Sequence, residues 1–223
     1  NVNEEKLYKE YKKIMARNGT SVGRDLNQHI AKTVKNHTTG NDQFLIDQWV
    51  DEKDMKEAKK KFNISNKTKN IVCGISASGS TKRWNINNYI KLFENLNSKF
   101  QCKFFLAGGL NDENLIEQAI NSPIRKNCVS FSTMTIAETI PIISACQYYI
   151  GNDTGWGHIS SGLGLKSLFL FMDSPPSAYG IYSKNISIIV PDGETIESCT
   201  HNTRGKNRIS VEKVLQKSLE LIS

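Results

Sequence analysis

From residue 70 onward, short apolar runs alternate with helical patterns, and this alternation constrains the fold more than any other feature of the chain. Strand-like runs occupy 71–75, 102–107, 128–130, 148–150, 167–172 and 186–190. Helical spacing fills 87–99, about 112–120 and 135–146, and another helix starts near Gly155. A final helix is expected after Ser210 as its cap, with Val211, Val214, Leu215, Leu219 and Ile222 on one face. Strands separated by helices of roughly 9–13 residues mean βαβ units and a parallel sheet. The expected fold is therefore α/β: a Rossmann-like parallel sheet with helices on both faces. Right-handed crossovers then bring the loops that follow the strands to one sheet edge, where such folds bind ligands.

The first part of the chain has a different texture. Residues 1–66 are polar and lysine-rich, and read as a helical connector or extension to the sheet domain over 67–223. Leu7, Tyr11 and Ile14 fall on one face of a helix expected over 4–17, ended by Asn18-Gly19. A second helix is expected over 51–62, with Met55, Ala58 and Phe62 turned inward. Between them, 20–43 is ambiguous: a short helix over 26–34 precedes a loop over 37–42.

A hydrophobic fraction of 38% over 223 residues supplies a core and argues against disorder throughout. No apolar run approaches the ~18 residues of a membrane span. The first 13 residues are charged and helical in pattern, unlike a signal peptide, and the missing initiator Met hints at a fragment or processed chain. The net charge is +7, but the lysines are spread along the chain, and the run Lys59-Lys60-Lys61 reads as a solvated helix face. A nucleic-acid binder would concentrate such charge among aromatics, so no nucleic-acid partner is expected. Peripheral contact with an anionic membrane, or attraction to an acidic acceptor, is the weaker implication of the charge. Cys73, Cys102, Cys128, Cys146 and Cys199 are odd in number and form no CxxC, which suits free thiols in a reducing cytoplasm and no zinc site.

Three strand-ending loops carry unusual residues. In the first, Ser76-Ala77-Ser78-Gly79-Ser80-Thr81-Lys82-Arg83-Trp84, small residues let backbone amides approach an anion and two cations follow. An ordinary flexible loop over a packed Trp would look the same. In the second, Ala107-Gly108-Gly109-Leu110-Asn111-Asp112-Glu113, an acid can reach ribose hydroxyls, although these are also plain helix-start residues. The third is Gly151-Asn152-Asp153-Thr154-Gly155-Trp156-Gly157-His158, which joins a strand to a helix start. There Thr154 and Gly155 can set backbone amides against a phosphate, Asp153 can accept from sugar hydroxyls, and His158 lies one turn on. The competing structural reading makes Asp153 an N-cap and His158 a satisfied core residue. No GxxxxGK[ST], GxSxG or GxGxxG occurs in the expected places, and the four histidines show no metal-ligand spacing.

Taken together, these residues resemble glycosyltransferase family 9, the ADP-heptose:lipopolysaccharide heptosyltransferases. The resemblance covers about 71–223. Lys82-Arg83-Trp84 is similar to the family's Lys-x-Trp, and Asp153-Thr154-Gly155-Trp156-Gly157-His158 to its Asp-[Ser/Thr]-Gly-x-x-His. Met134-Thr135-Ile136-Ala137-Glu138 resembles the segment leading into the preceding helix. The resemblance implies the C-terminal, donor-binding half of a GT-B enzyme. It also implies inverting, metal-independent transfer from a nucleotide-diphosphate sugar, ADP-heptose by family default, to a glycan or lipid-linked acceptor of lipopolysaccharide type, with no cofactor.

By position, the resemblance gives Lys82 the diphosphate leaving group and Ser78, Thr154 and Gly155 the phosphates. Asp153 and His158 would contact the donor sugar or its phosphate, Met134 the base, and Asp112 or Glu113 the ribose. Two departures stand out. The family's Gly-Pro-Thr-type turn is replaced by Asp173-Ser174-Pro175-Pro176, so sugar contacts from that loop do not follow from the resemblance. The family's N-terminal domain, with the acceptor site and general base, is expected to have no counterpart in these residues. The alternative expectation is a non-catalytic binding or assembly module that keeps the fold.

Overall fold

The computed structural model describes residues 50–223. The helix expected over 4–17 and the ambiguous segment 20–43 lie outside the described residues. Six strands, β1 (Lys69–Gly74), β2 (Cys102–Ala107), β3 (Cys128–Ser130), β4 (Tyr148–Asn152), β5 (Lys166–Leu170) and β6 (Ile186–Ile189), form one sheet. All its pairings are parallel, in the order β3-β2-β1-β4-β5-β6. This is a doubly wound Rossmann-like sheet. The chain builds outward from β1 in one direction, then returns to lay β4 on its other side. The crevice between the β1 and β4 carboxyl ends is therefore its topological switch point.

Side-chain alternation along the strands divides the interior into two cores, one per face. Ile71, Cys73, Phe104, Leu106, Ile150, Leu168 and Leu170 pack with helices α2 (Ile86–Lys99), α3 (Glu113–Ile120) and α7 (Val211–Ile222). Val72, Phe105, Tyr149 and Phe169 pack with α1 (Glu52–Lys61), α4 (Ile136–Ser144) and α5 (Gly155–Gly162). A short α6 (Pro176–Tyr179) follows β5. Burial on both faces explains why the strands read as near-continuous apolar runs.

Helix boundaries follow local chemistry. Asp51 caps α1 by accepting from Lys53 N at 2.8 Å, and Lys59, Lys60 and Lys61 lie exposed on its last turn, where the helix dipole favours cations. Ala58 is buried, with Met55 and Phe62 packed around it. Thr135 and Glu138 form a reciprocal capping box at α4. Ser210 caps α7, accepting from Lys213 N at 3.1 Å. The run expected as strand over 167–172 leaves the ladder at Leu170. The Met172 carbonyl instead accepts from Gly205 N at 2.7 Å, which pulls the end of the run into a loop.

The β1–β4 seam is very close-packed. Gly74 and Gly151 face each other across it. A Cβ on Gly151 would lie 2.5 Å from Gly74 N, and one on Gly74 would overlap the Tyr149 hydroxyl. Buried Asn152 then locks the seam. Its Nδ2 donates to the carbonyls of Ile75 and Ser76 at 3.1 Å, and its Oδ1 accepts from Trp84 N at 3.1 Å and Tyr89 Oη at 2.9 Å. One side chain thus fixes both ends of the first loop against β4.

Candidate functional site

The strand-ending loops meet at this seam. In the first loop, Ser80–Lys82 forms a 3-10 turn with no side-chain cap, and Ser78 is exposed on the turn before it. Trp84 is buried in the core and donates from Nε1 to Ile209 O at 2.9 Å, so it anchors the loop rather than facing solvent. Arg83 donates to Ala77 O at 3.3 Å and lies 3.8 Å from Asp112 Oδ1, bridging the first loop to the second.

In the second loop, the Asp112 carboxylate accepts from Gly109 N at 3.1 Å. It is thus committed to the helix start and to Arg83, whereas Glu113 beside it is exposed. Met134, in the loop after β3, is half-buried against the core.

In the third loop, the N-cap of α5 is Thr154, which makes no side-chain cap bond. Among the described residues, the N–H groups of Thr154, Gly155 and Trp156 have no protein acceptor. Three amides and the positive end of a helix dipole are thereby left for an anion. Gly157 permits close seating of α5, since a Cβ there would lie 2.6 Å from the Phe169 ring. Two of the three glycines in this turn, Gly151 and Gly157, therefore answer to packing.

Asp153 does not cap the helix. Its Oδ1 accepts from His158 Nε2 at 3.2 Å and its Oδ2 from Ser174 Oγ at 2.6 Å. Burial opposes ionisation, but the hydrogen bond and charge of His158, then the hydrogen bond from Ser174 and the field of Lys82, outweigh it and hold the carboxyl below its usual 3.8. The Lys82 charge thus acts on the same turn. His158 Nδ1 lies 2.6 Å from the Tyr182 hydroxyl, so both ring nitrogens have protein partners.

Ser174 belongs to the loop after β5, the one that departs from the resembling family. The structure builds this loop firmly into the site: Asp173 is buried and accepts from Arg204 N at 2.8 Å, fixing the backbone that carries Ser174. Sequence reasoning missed Asn152, Ser174 and Tyr182. For the first two a signal existed, since Asn152 ends a buried parallel strand and Ser174 is a polar residue in the loop that follows one. Tyr182 sits in a segment without periodicity and gave none.

Fold and site thus define a Rossmann-like domain with an anion-suited helix start at its switch point, beside a held carboxylate within the field of a lysine. The chain belongs to glycosyltransferase family 9 (heptosyltransferase), whose model matches residues 30–208. A search of curated proteins found no match. Among solved structures, ADP-heptose LPS heptosyltransferase II from E. coli is similar at a TM-score of 0.66 and 20% identity, over 78% of this chain and 52% of that one. A family 9 glycosyl transferase from Veillonella parvula gives 0.65 and 18%, over 78% and 52%. E. coli heptosyltransferase WaaC with ADP gives 0.58 and 15%, over 72% and 47%. At these identities the likeness establishes a shared fold, and the chain spans about half the length of the solved relatives it matches. Among the described residues, no helix is long and apolar enough to cross a membrane.

Proposed function

We propose that this chain supplies the donor half of an inverting glycosyltransferase, binding a nucleotide-diphosphate sugar at the β1–β4 switch point. The observation that carries the reading is the uncapped start of α5. There, among the described residues, the unpaired amides of Thr154, Gly155 and Trp156 follow the held carboxylate of Asp153, whose ionisation the Lys82 charge favours. In such a transfer, negative charge develops on the departing diphosphate, and preorganised amides and an ammonium stabilise it. Lys82 and these amides take the diphosphate, with Ser78 on the facing turn. This arrangement calls for no metal to neutralise the leaving group.

Met134 packs against the base. Glu113 takes the ribose hydroxyls in preference to Asp112, because Asp112 already serves Gly109 N and Arg83. Asp153 accepts from the sugar. ADP-heptose is the donor suggested by family membership, and family-related WaaC has been solved both with ADP and with ADP-2-deoxy-2-fluoro heptose.

The domain division at residues 66 and 67 goes with this reading, as do a glycan or lipid-linked acceptor and a cytoplasmic setting at the inner membrane face. The general base then lies on an acceptor-binding domain beyond this chain, and 223 residues bind donor without transferring it. A thermal-shift screen of ADP-, GDP- and UDP-sugars tests the proposal. One nucleotide sugar should raise the melting temperature while the chain shows no turnover. If none raises it, the non-catalytic module becomes the better reading; brisk transfer by this chain alone would refute the assignment of the base elsewhere.

A further inference from the structure

Four side chains around the donor turn form one hydrogen-bonded row: Ser174, Asp153, His158 and Tyr182. They come from separate stretches, the loop after β5, the β4–α5 turn with α5 itself, and the segment after α6. Proton counting fixes the direction of both bonds to Asp153 and, for the neutral ring, of the third. Asp153 is ionised and can only accept, so His158 carries its hydrogen on Nε2. In the neutral ring Nδ1 is then bare and accepts from the Tyr182 hydroxyl at 2.6 Å. Burial above all, with the Asp153 charge adding to it, pushes the Tyr182 phenol up, so that proton stays in place. Ser174 donates to the other carboxylate oxygen. The ring is also held sterically, its centroid 5.3 Å from Phe169 and 5.6 Å from Tyr182. With the ring neutral, every donor in the row points toward the Asp153 carboxylate, and neither ring nitrogen of His158 is left for a ligand.

We propose that Tyr182, His158 and Ser174 are positioning residues that hold the Asp153 carboxylate in one orientation, its remaining lone pairs aimed at the hydroxyls of the donor sugar. His158 acts through Asp153 and does not touch the donor. The inference rests on the donor-site reading above. It also confines the row's effect to one half of the ligand. A carboxylate repels a diphosphate but accepts readily from neutral sugar hydroxyls, so the row serves the sugar and the α5 amides serve the phosphates.

Two measurements on the full chain test this. Tyr182→Phe and Ser174→Ala each remove one oxygen. In calorimetric titrations each should weaken ADP-heptose by about tenfold, the scale of one hydrogen bond to a charged group, and leave ADP within about twofold. Equal losses for both ligands would mark a general structural defect, and no loss for either would mark an idle row; each overturns the proposal. The second measurement needs no ligand. In long-range ¹H–¹⁵N spectra of histidine-labelled chain, His158 should be the Nε2–H tautomer, and Tyr182→Phe should move its Nδ1 resonance while the tautomer is kept. An unmoved Nδ1 resonance, or an Nδ1–H tautomer, overturns the row itself. Wild-type chain that binds neither ADP nor ADP-heptose would instead defeat the donor-site reading, leaving the spectra to judge the row.

Discussion

Asn152 and Asp153 are neighbours in sequence and opposites in use. Asn152 ends β4, is fully buried, and uses both ends of its amide on the protein, joining Ile75, Ser76, Trp84 and Tyr89. Asp153, one residue on, is held by Ser174 and His158 yet lies beside amides that no group among the described residues satisfies. One residue builds the switch point; the next is exposed to what binds there. The pair shows how a parallel sheet separates stability from function at a strand end. The last residue of the ladder is tied down so that the first residue of the loop can be aimed.

Substitutions on the structural side should cost stability first, and binding only as a consequence. Gly151→Ala forces a methyl against the Gly74 backbone at 2.5 Å, where neither strand can give way. It should cost about 3 kcal/mol or more in urea melts, the upper range for overpacking, and an ordinary melt would break the account of the seam. Asn152→Ala strands two carbonyls and an amide in the interior, leaves the Tyr89 hydroxyl only the Gly74 carbonyl, and should cost about 2–3 kcal/mol. If its urea midpoint matched wild type, the staple would be decorative.

Across the divide, the order reverses. Lys82→Ala should leave the melt almost unchanged, because Lys82 is only half-buried. It should still weaken a nucleotide-diphosphate sugar by roughly 1–3 kcal/mol. The smallest effect expected is a pH dependence. The Asp153 carboxyl is held below 3.8 in the folded chain, so its contribution to stability is present above about pH 4 and is lost as pH falls through the lower folded value. The stability gap between wild type and Asp153→Asn should therefore close in acid. A gap constant from pH 6 down to pH 2, about the span of a carboxyl titration, would show that the carboxylate is not held as described.

Much of the fold was legible because it is a matter of period. Strand runs such as 102–107 and 128–130 were placed to the residue, since burial on both faces makes them continuous and capping residues such as Ser210 mark the helices between them. The site was legible only in part. Asp153 and Lys82 stood out because strand-to-helix turns rich in small residues are chemically unusual. The partners that fix Asp153 come from 21 and 24 residues away along the row, Ser174 bonding Asp153 and Tyr182 bonding His158, through a loop that only tertiary packing folds back. No local pattern encodes such a return. Gly151 and Gly157 were suggestive for a second reason as well: glycine near a phosphate turn can equally answer to steric contact, and here the Gly74 backbone and the Phe169 ring account for both.

The central claim is that the turn beginning at Asp153 holds the donor. Isothermal titration of ADP-heptose into wild-type, Lys82→Ala and Asp153→Ala chains tests it most directly. The account predicts saturable one-to-one binding to wild type and a loss of roughly 1–3 kcal/mol in each variant, with both variants still folded. Unchanged affinity in both would contradict it.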